Sequence, residues 1–331
     1  MRRSVHLKPQ SPRSSATPLV FLVLLGIMSY GVYFSLEKVE AYRLWKDVEP
    51  DSIQVQVLGT NQTASMTPEP TQPSPSPEVQ LSPLGKIVAT ALEGTKGSYA
   101  VAIKNLSTGE EYYLNENKSF ETGSLYKLWV MAESFHKIQS GELDPEEKMS
   151  RTIADLNQTF GIDPENAELT SGGITMTVNQ ALTQMITISH NYAAMLLTEK
   201  NKLSTVRQFL TENGFKDSAV GGDPKTTALD MLKFYEKLRS GQLANQENTD
   251  KMLELLKKQR LNNKLPAALP EGVTVAHKTG ELGMFTHDAG IVYGKKGEYI
   301  IVVLSESPAP AAAEDRIADV SKAVYNYFES K

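Results

Sequence analysis

Cysteine is absent from all 331 residues. That excludes a disulfide scaffold, a thiolate metal site, a cysteine nucleophile and a lipidated cysteine anchor. The five histidines, His6, His136, His190, His277 and His287, form no HExxH or other close ligand pair, so no metal is expected. GxGxxG and GxxxxGK(S/T) are missing as well, which leaves a nucleotide cradle unsupported and implies no cofactor. GxSxG, the nucleophile elbow of one hydrolase fold, does not occur. Acidic residues are lacking before Glu37, whereas Arg2, Arg3, Lys8 and Arg13 precede it. The net charge of −5 therefore divides into +4 over residues 1–36 and −9 over the remainder. A chain this mildly acidic is not expected to bind nucleic acid.

What is present falls into four pieces. Residues 1–18 form a basic tail, and Leu19–Leu36 is an uncharged run of 18 residues. At 1.5 Å per residue such a run is just long enough to cross the hydrocarbon core, with Tyr30, Tyr33 and Tyr42 able to seat its outer edge. The basic side stays cytoplasmic and the C-terminal bulk lies outside. A poor small-x-small site after the run favours an uncleaved signal-anchor over a cleaved signal peptide. Residues 37–78 read as a stalk and a linker. Pro68, Pro70, Pro73, Pro75 and Pro77 keep it out of helix and sheet interiors alike. Asn61-Gln62-Thr63 fits a glycosylation acceptor, a triplet too common to carry weight.

Residues 79–331 have a globular texture. Leu84, Ile87, Val88, Ala91 and Leu92 recur at helical spacing. Tyr99–Ile103 and Glu111–Leu114 read as a hairpin turned at Ser107-Thr108-Gly109. Helical stretches follow at Ser124–Ser140, Val178–Thr187, Asn191–Lys200, Ser204–Asn213, Thr227–Leu238 and Asn248–Gln259. Strands return at Thr274–Lys278, Gly290–Val292 and Tyr299–Leu304. A last helix carries Ile317, Val320, Val324, Tyr327 and Phe328 on one face. Strands bracketing a helical block predict an α+β fold, with one antiparallel sheet flanked by terminal helices and an all-helical subdomain beside it.

One catalytic pattern remains, Ser-x-x-Lys, and it occurs three times: Ser35/Lys38, Ser124/Lys127 and Ser134/Lys137. The first lies at the membrane edge. The third is mid-helix, where Ser134 reads as one more surface hydroxyl. Ser124 stands at a predicted helix start, after Thr122-Gly123 and before the apolar Leu128, Val130 and Met131. It could be an ordinary N-cap. It could also be a nucleophile, because Lys127 one turn later can serve it as base once burial strips the ammonium of its proton. Downstream lie Ser189-His190-Asn191 between two helices and Lys278-Thr279-Gly280 after an apolar strand. Singly these read as a helix cap and a strand-end turn. Ordered as they are, all three together are poorly explained by caps and turns.

In these motifs the sequence resembles the serine β-lactamase and penicillin-binding protein superfamily, nearest to class A β-lactamases. The likeness covers about residues 79–331. MTVNQALTQMITISHNYAAMLL resembles the helical approach to the second motif, and AALPEGVTVAHKTGELGMFTHDAGIVYGKKGEYIIVVLSES the third motif with its strand pair. The resemblance implies Ser124 as the acylated nucleophile, Lys127 as its base and Ser189 as the proton relay to the leaving nitrogen. It implies Asn191 as holder of the substrate's side-chain amide, and Lys278 and Thr279, followed by Gly280, as the carboxylate site. The backbone N–H groups of Ser124 and Glu281 would form the oxyanion hole. The implied substrate is a β-lactam or a peptidoglycan stem peptide, and the implied state is a monomer held at the membrane by Leu19–Leu36. Two departures stand out. His190 replaces the Asp of class A enzymes. The E-x-x-L-N stretch that carries the deacylating Glu is missing before GGDPKTTALD, and Glu199, Glu212, Asp217 and Asp223 do not restore it. A β-lactamase, a D,D-peptidase and a non-turnover penicillin-binding module all stay open at this point.

Overall fold

A computed structural model describes residues 81–331. The expected anchor at 19–36 and the linker that follows lie outside the described residues. Among the described residues, no helix is long and apolar enough to cross a membrane.

The order opens with helix α1 (Pro83–Ala91), then strands β1 (Ser98–Asn105) and β2 (Glu111–Leu114). Ser82 caps α1 by accepting the Gly85 N–H at 3.0 Å, and Pro83 presets the first turn. Strand β3 (Phe120–Glu121) leads into a 3₁₀ turn, Gly123–Tyr126, and helix α2 (Lys127–Ser140). The helical block continues through β4 (Lys148–Thr152), α3 (Ile153–Thr159), β5 (Gly173–Thr177), α4 (Val178–Thr187), α5 (Asn191–Asn201), α6 (Leu203–Glu212), β6 (Lys225–Thr226), α7 (Ala228–Arg239) and α8 (Gln246–Lys257). The chain closes with β7 (Thr274–Leu282), β8 (Phe285–Gly294), β9 (Gly297–Glu306) and α9 (Pro310–Ser330).

Five strands form one antiparallel sheet in the order β2-β1-β9-β8-β7. The first strands therefore pair with the last, as the bracketing pattern predicts. Side chains alternate across a strand, and both faces of this sheet are buried. Val101, Ile103, Ile301 and Val303 pack with α1 and α9 through Leu84, Val88, Ile317, Val324 and Phe328. Ala100, Ala102, Ile300 and Val302 pack on the other side with the helical block. Helix α2 lies within that second core: every residue from Lys127 to Phe135 is buried.

Three expectations need correction. The helix expected from Ser124 begins instead as a 3₁₀ turn, and the α-helix proper starts at Lys127. Strand β7 does not stop at Lys278; the third motif lies inside it, with Thr279 opposite Asp288 and Gly280 opposite His287. Strand β8 is likewise longer than its apolar segment, because Thr286, His287 and Asp288 are buried polar residues. Pairing of the backbone continues through them although hydrophobic pattern does not. The β4–β5 hairpin, with Lys148 opposite Thr177, and helix α3 had no clear sequence signal.

Candidate active site

The 3₁₀ turn and the edge strand β7 meet at two glycines. Gly123 has φ +47°, and a Cβ there would lie 2.5 Å from the Glu281 backbone nitrogen. A Cβ on Gly280 would lie 2.5 Å from the Thr122 carbonyl oxygen. Only glycine permits so close an approach at both points. The approach brings the turn that carries Ser124 against the Glu281 amide. The turn is fixed from behind as well. The Thr122 N–H donates to the Pro224 carbonyl at 2.8 Å, and His287 Nε2–H donates to the Glu121 carbonyl at 2.7 Å.

Ser124 is not a cap: neither the turn nor α2 has a side-chain cap, and among the described residues no hydrogen bond engages Ser124 Oγ. The cap beside the second motif belongs to His190, whose Nδ1 accepts the Ala193 N–H at 3.2 Å. That explains how a histidine can stand in the middle of the triplet, since its task is an acceptor's. It leaves Ser189 and Asn191 free for Lys127. Ser189 takes a left-handed backbone, φ +58°, an unfavourable conformation of the kind that gathers at functional sites.

Lys127 is fully buried. Its Nζ donates to the Ser189 carbonyl at 2.6 Å and to Asn191 Oδ1 at 2.7 Å, and lies 3.3 Å from Ser189 Oγ. The first two partners can only accept. The third direction is thus where the lone pair of a neutral amine would point. Burial lowers the Lys127 pKa to about 7, and the Glu168 carboxylate works in the opposite direction. The amine therefore gives up its proton far more readily than an ordinary lysine, a property a general base requires. No hydrogen bond joins it directly to Ser124 Oγ among the described residues; its partners are Ser189 and Asn191.

Lys278 enters from β7, also fully buried, and donates to Ser189 Oγ at 2.9 Å and to the Thr279 carbonyl at 2.8 Å. Burial and then the nearby Lys127 push its pKa well below the ordinary lysine value, with Asp288 and Glu281 opposing. Two buried lysines from different elements thus converge on one serine hydroxyl. Thr279 is buried beside them. The Glu281 side chain turns to a third buried lysine, Lys264, which also lies 3.5 Å from Glu314. This turns the carboxylate toward Lys264, while the Glu281 amide stays beside the turn.

The second Ser-x-x-Lys pair is structural. Ser134 is not at the surface, as its pattern suggested, but fully buried; its hydroxyl donates to the Val130 carbonyl and accepts from Asn201 Nδ2, each at 2.7 Å. Lys137 donates to the Asn201 carbonyl at 2.5 Å. The Ser35/Lys38 pair lies outside the described residues.

The acids downstream of Asn191 are occupied elsewhere or turned outward. Glu199 pairs with Arg151 at 2.9 Å, Glu212 accepts from Gln208, the Asp217 backbone binds Asp230, and Asp223 is exposed. The carboxylate that does reach the site is Glu168, upstream of the second motif, whose Oε2 accepts from Asn191 Nδ2 at 3.1 Å. Nothing in the sequence around Glu168 marks it. It is one acid in a polar loop with Gly161, Pro164 and Gly172, and only its position shortly before the second motif could have drawn attention to it.

The family model for the Beta-lactamase enzyme family matches residues 83–328. Beta-lactamase VEB-1 of Pseudomonas aeruginosa is 24% identical over 271 residues, covering 74% of this chain and 90% of that protein. Among solved structures, PBP-A aligns with a TM-score of 0.66 at 22% identity, over 75% of this chain and 96% of its own. A PBP-A mutant captured as an acyl-enzyme complex with penicillin G aligns at 0.67 and 22% over the same shares. The β-lactamase of Sphaerobacter thermophilus gives 0.67 and 24%, over 75% of this chain and 97% of that one.

Proposed function

The chain belongs to the β-lactamase enzyme family, and from that premise we propose that it is an extracytoplasmic serine hydrolase acylated at Ser124 by β-lactams. The observation that carries this reading is the convergence of Lys127 and Lys278 on the Ser189 hydroxyl. Burying two lysines side by side is costly, and such strongly perturbed groups cluster at functional sites.

The contacts of Ser189 with Lys127 and Lys278 support a proton path through that hydroxyl. Ser124 Oγ attacks the lactam carbonyl, and its proton passes to neutral Lys127. The oxyanion is met by the N–H groups of Ser124 and Glu281. As the lactam C–N bond breaks, Ser189 gives its proton to the departing nitrogen and recovers one from Lys127. Lys278 and Thr279 hold the substrate carboxylate, and Asn191 holds the acyl side-chain amide. The ester on Ser124 then awaits water. Because the acids between Asn191 and Thr226 are occupied elsewhere or turned outward, this reading gives fast acylation and slow deacylation. The same feature favours a second reading, a D,D-peptidase or penicillin-binding module that shares the acylation step. PBP-A, whose mutant forms an acyl-enzyme with penicillin G, supports that alternative by likeness of fold.

The purified full chain, incubated with a chromogenic cephalosporin and followed by turnover and intact mass, tests both. A covalent adduct that decays with many turnovers supports the hydrolase. A stable adduct without turnover supports the second reading. No adduct on the wild-type chain, or an undiminished one in Ser124→Ala, would sink the assignment. The anchor reading of Leu19–Leu36 belongs to the same proposal. It expects the chain in the membrane fraction, released when residues 1–36 are deleted; an equally sedimenting truncation would refute it.

A further inference from the structure

Glu168 has no part in the proton path above, yet the surrounding structure holds it in place. The next residue, Leu169, is gripped by a closed ring of hydrogen bonds. Its N–H donates to Tyr192 Oη at 3.0 Å, the Tyr192 hydroxyl donates to Asn157 Oδ1 at 3.1 Å, and Asn157 Nδ2 donates back to the Leu169 carbonyl at 2.8 Å. Tyr192 and Asn157 are both buried. Tyr192 follows Asn191 in α5, so one helix positions both the loop and the amide that Glu168 touches.

The consequence falls on Asn191. An amide side chain can flip, exchanging its oxygen and nitrogen. Here Lys127 requires the oxygen at 2.7 Å and Glu168 requires the nitrogen at 3.1 Å, so both contacts fix one orientation. The second Nδ2 hydrogen is left for a substrate carbonyl. We propose that Glu168 is a positioning residue for acylation, orienting Asn191 and supplying the counter-charge that faces Lys127.

The charged surroundings of Lys127 can be enumerated. Lys278 faces it from β7, with Lys264, Glu281 and Asp288 behind that residue. The Tyr126 ring lies 6.0 Å away on the turn, its hydroxyl pKa raised by burial to about 12. His190, at the start of α5, is engaged with the Ala193 N–H. Glu168 is thus the acid that holds the Lys127 proton on, against burial, which drives it off.

The inference rests on the acylation chemistry proposed above, and its test separates the two. Glu168→Gln keeps an oxygen that can accept from Asn191 and removes the charge. Acylation rates of the wild-type and variant full chains by a penicillin are measured by intact mass from pH 5.5 to 9. Loss of the charge makes Lys127 more acidic, so the acid limb of the profile moves to lower pH. The ratio of variant to wild-type rate is expected to be about threefold greater at pH 6 than at pH 8.5. A ratio constant across the range, with wild type forming the adduct, overturns the role of Glu168. Wild type that forms no adduct fails the underlying function instead.

Discussion

At the scale of single residues, the site is built from groups that cost stability. Lys127 sits uncompensated by any direct ion pair, in a core of Leu128, Val130 and Met131. Its pKa of about 7 lies well below the value in an unfolded chain, so the unfolded state binds the proton more readily from about pH 7 up to about 10.5. Stability therefore rises with pH across that window, and the penalty is fully present below pH 7. Lys127→Met is expected to abolish acylation, by at least about 10³-fold, and yet to raise the melting temperature at pH 6.5 by about 3 °C or more. Calorimetry beside the adduct assay checks this, and a variant that melts earlier would contradict it. That Lys127, Ser189 and Lys278 meet was legible because each falls in a short motif whose chemistry constrains spacing. Glu168 was not legible. Its contact with Asn191 depends on a loop held by Tyr192 and Asn157, and such long-range placement leaves no periodic trace.

At the scale of elements, the decisive contact is between the 3₁₀ turn and strand β7. Gly123 and Gly280 let two backbones approach more closely than any side chain would allow. Gly123→Ala places a methyl group 2.5 Å from the Glu281 nitrogen at a φ of +47°. The turn must then retreat from the strand, separating the two N–H groups assigned to the oxyanion. The expected loss is about 10²-fold or more in acylation rate and about 2 kcal/mol in stability, read from adduct formation and urea unfolding. A variant with wild-type acylation would argue that Glu281 has no part in the hole. The helices were readable because their apolar faces repeat at helical spacing and carry caps, as in the Thr177–Gln180 capping box of α4. The extent of β7 and β8 was not. Of their buried polar residues, His287 donates to the Glu121 carbonyl just before the turn and Asp288 accepts from the Leu265 N–H, so they serve hydrogen bonds that hydrophobic pattern does not mark.

At the scale of the whole molecule, the sheet carries a core on each face, and His287 ties its interior to β3, just before the turn that carries Ser124. His287 Nδ1 accepts the Ser305 N–H at 3.1 Å while Nε2–H donates to Glu121, so the ring is neutral in the fold. Burial lowers its pKa to about 4. Between pH 6.5 and about 4 the unfolded chain takes up a proton that the folded chain refuses. This group alone thus lowers stability by up to about 3 kcal/mol as pH falls through that window. Urea unfolding at pH 7 and pH 4.5 measures the loss, and His287→Gln should lose markedly less between the two values; equal losses would remove His287 as the cause. The Ser189 hydroxyl has a mechanical side too. Lys127 reaches it from the helical block and Lys278 from the sheet edge, so it works as a clasp across the cleft. In the proposed acylation that hydroxyl gives its proton to the leaving group and takes another from Lys127. Because the hydroxyl oxygen only accepts from the two lysines, losing its own proton tightens the clasp, and in the proposed acylation the two halves are held most firmly at the moment when the leaving group departs.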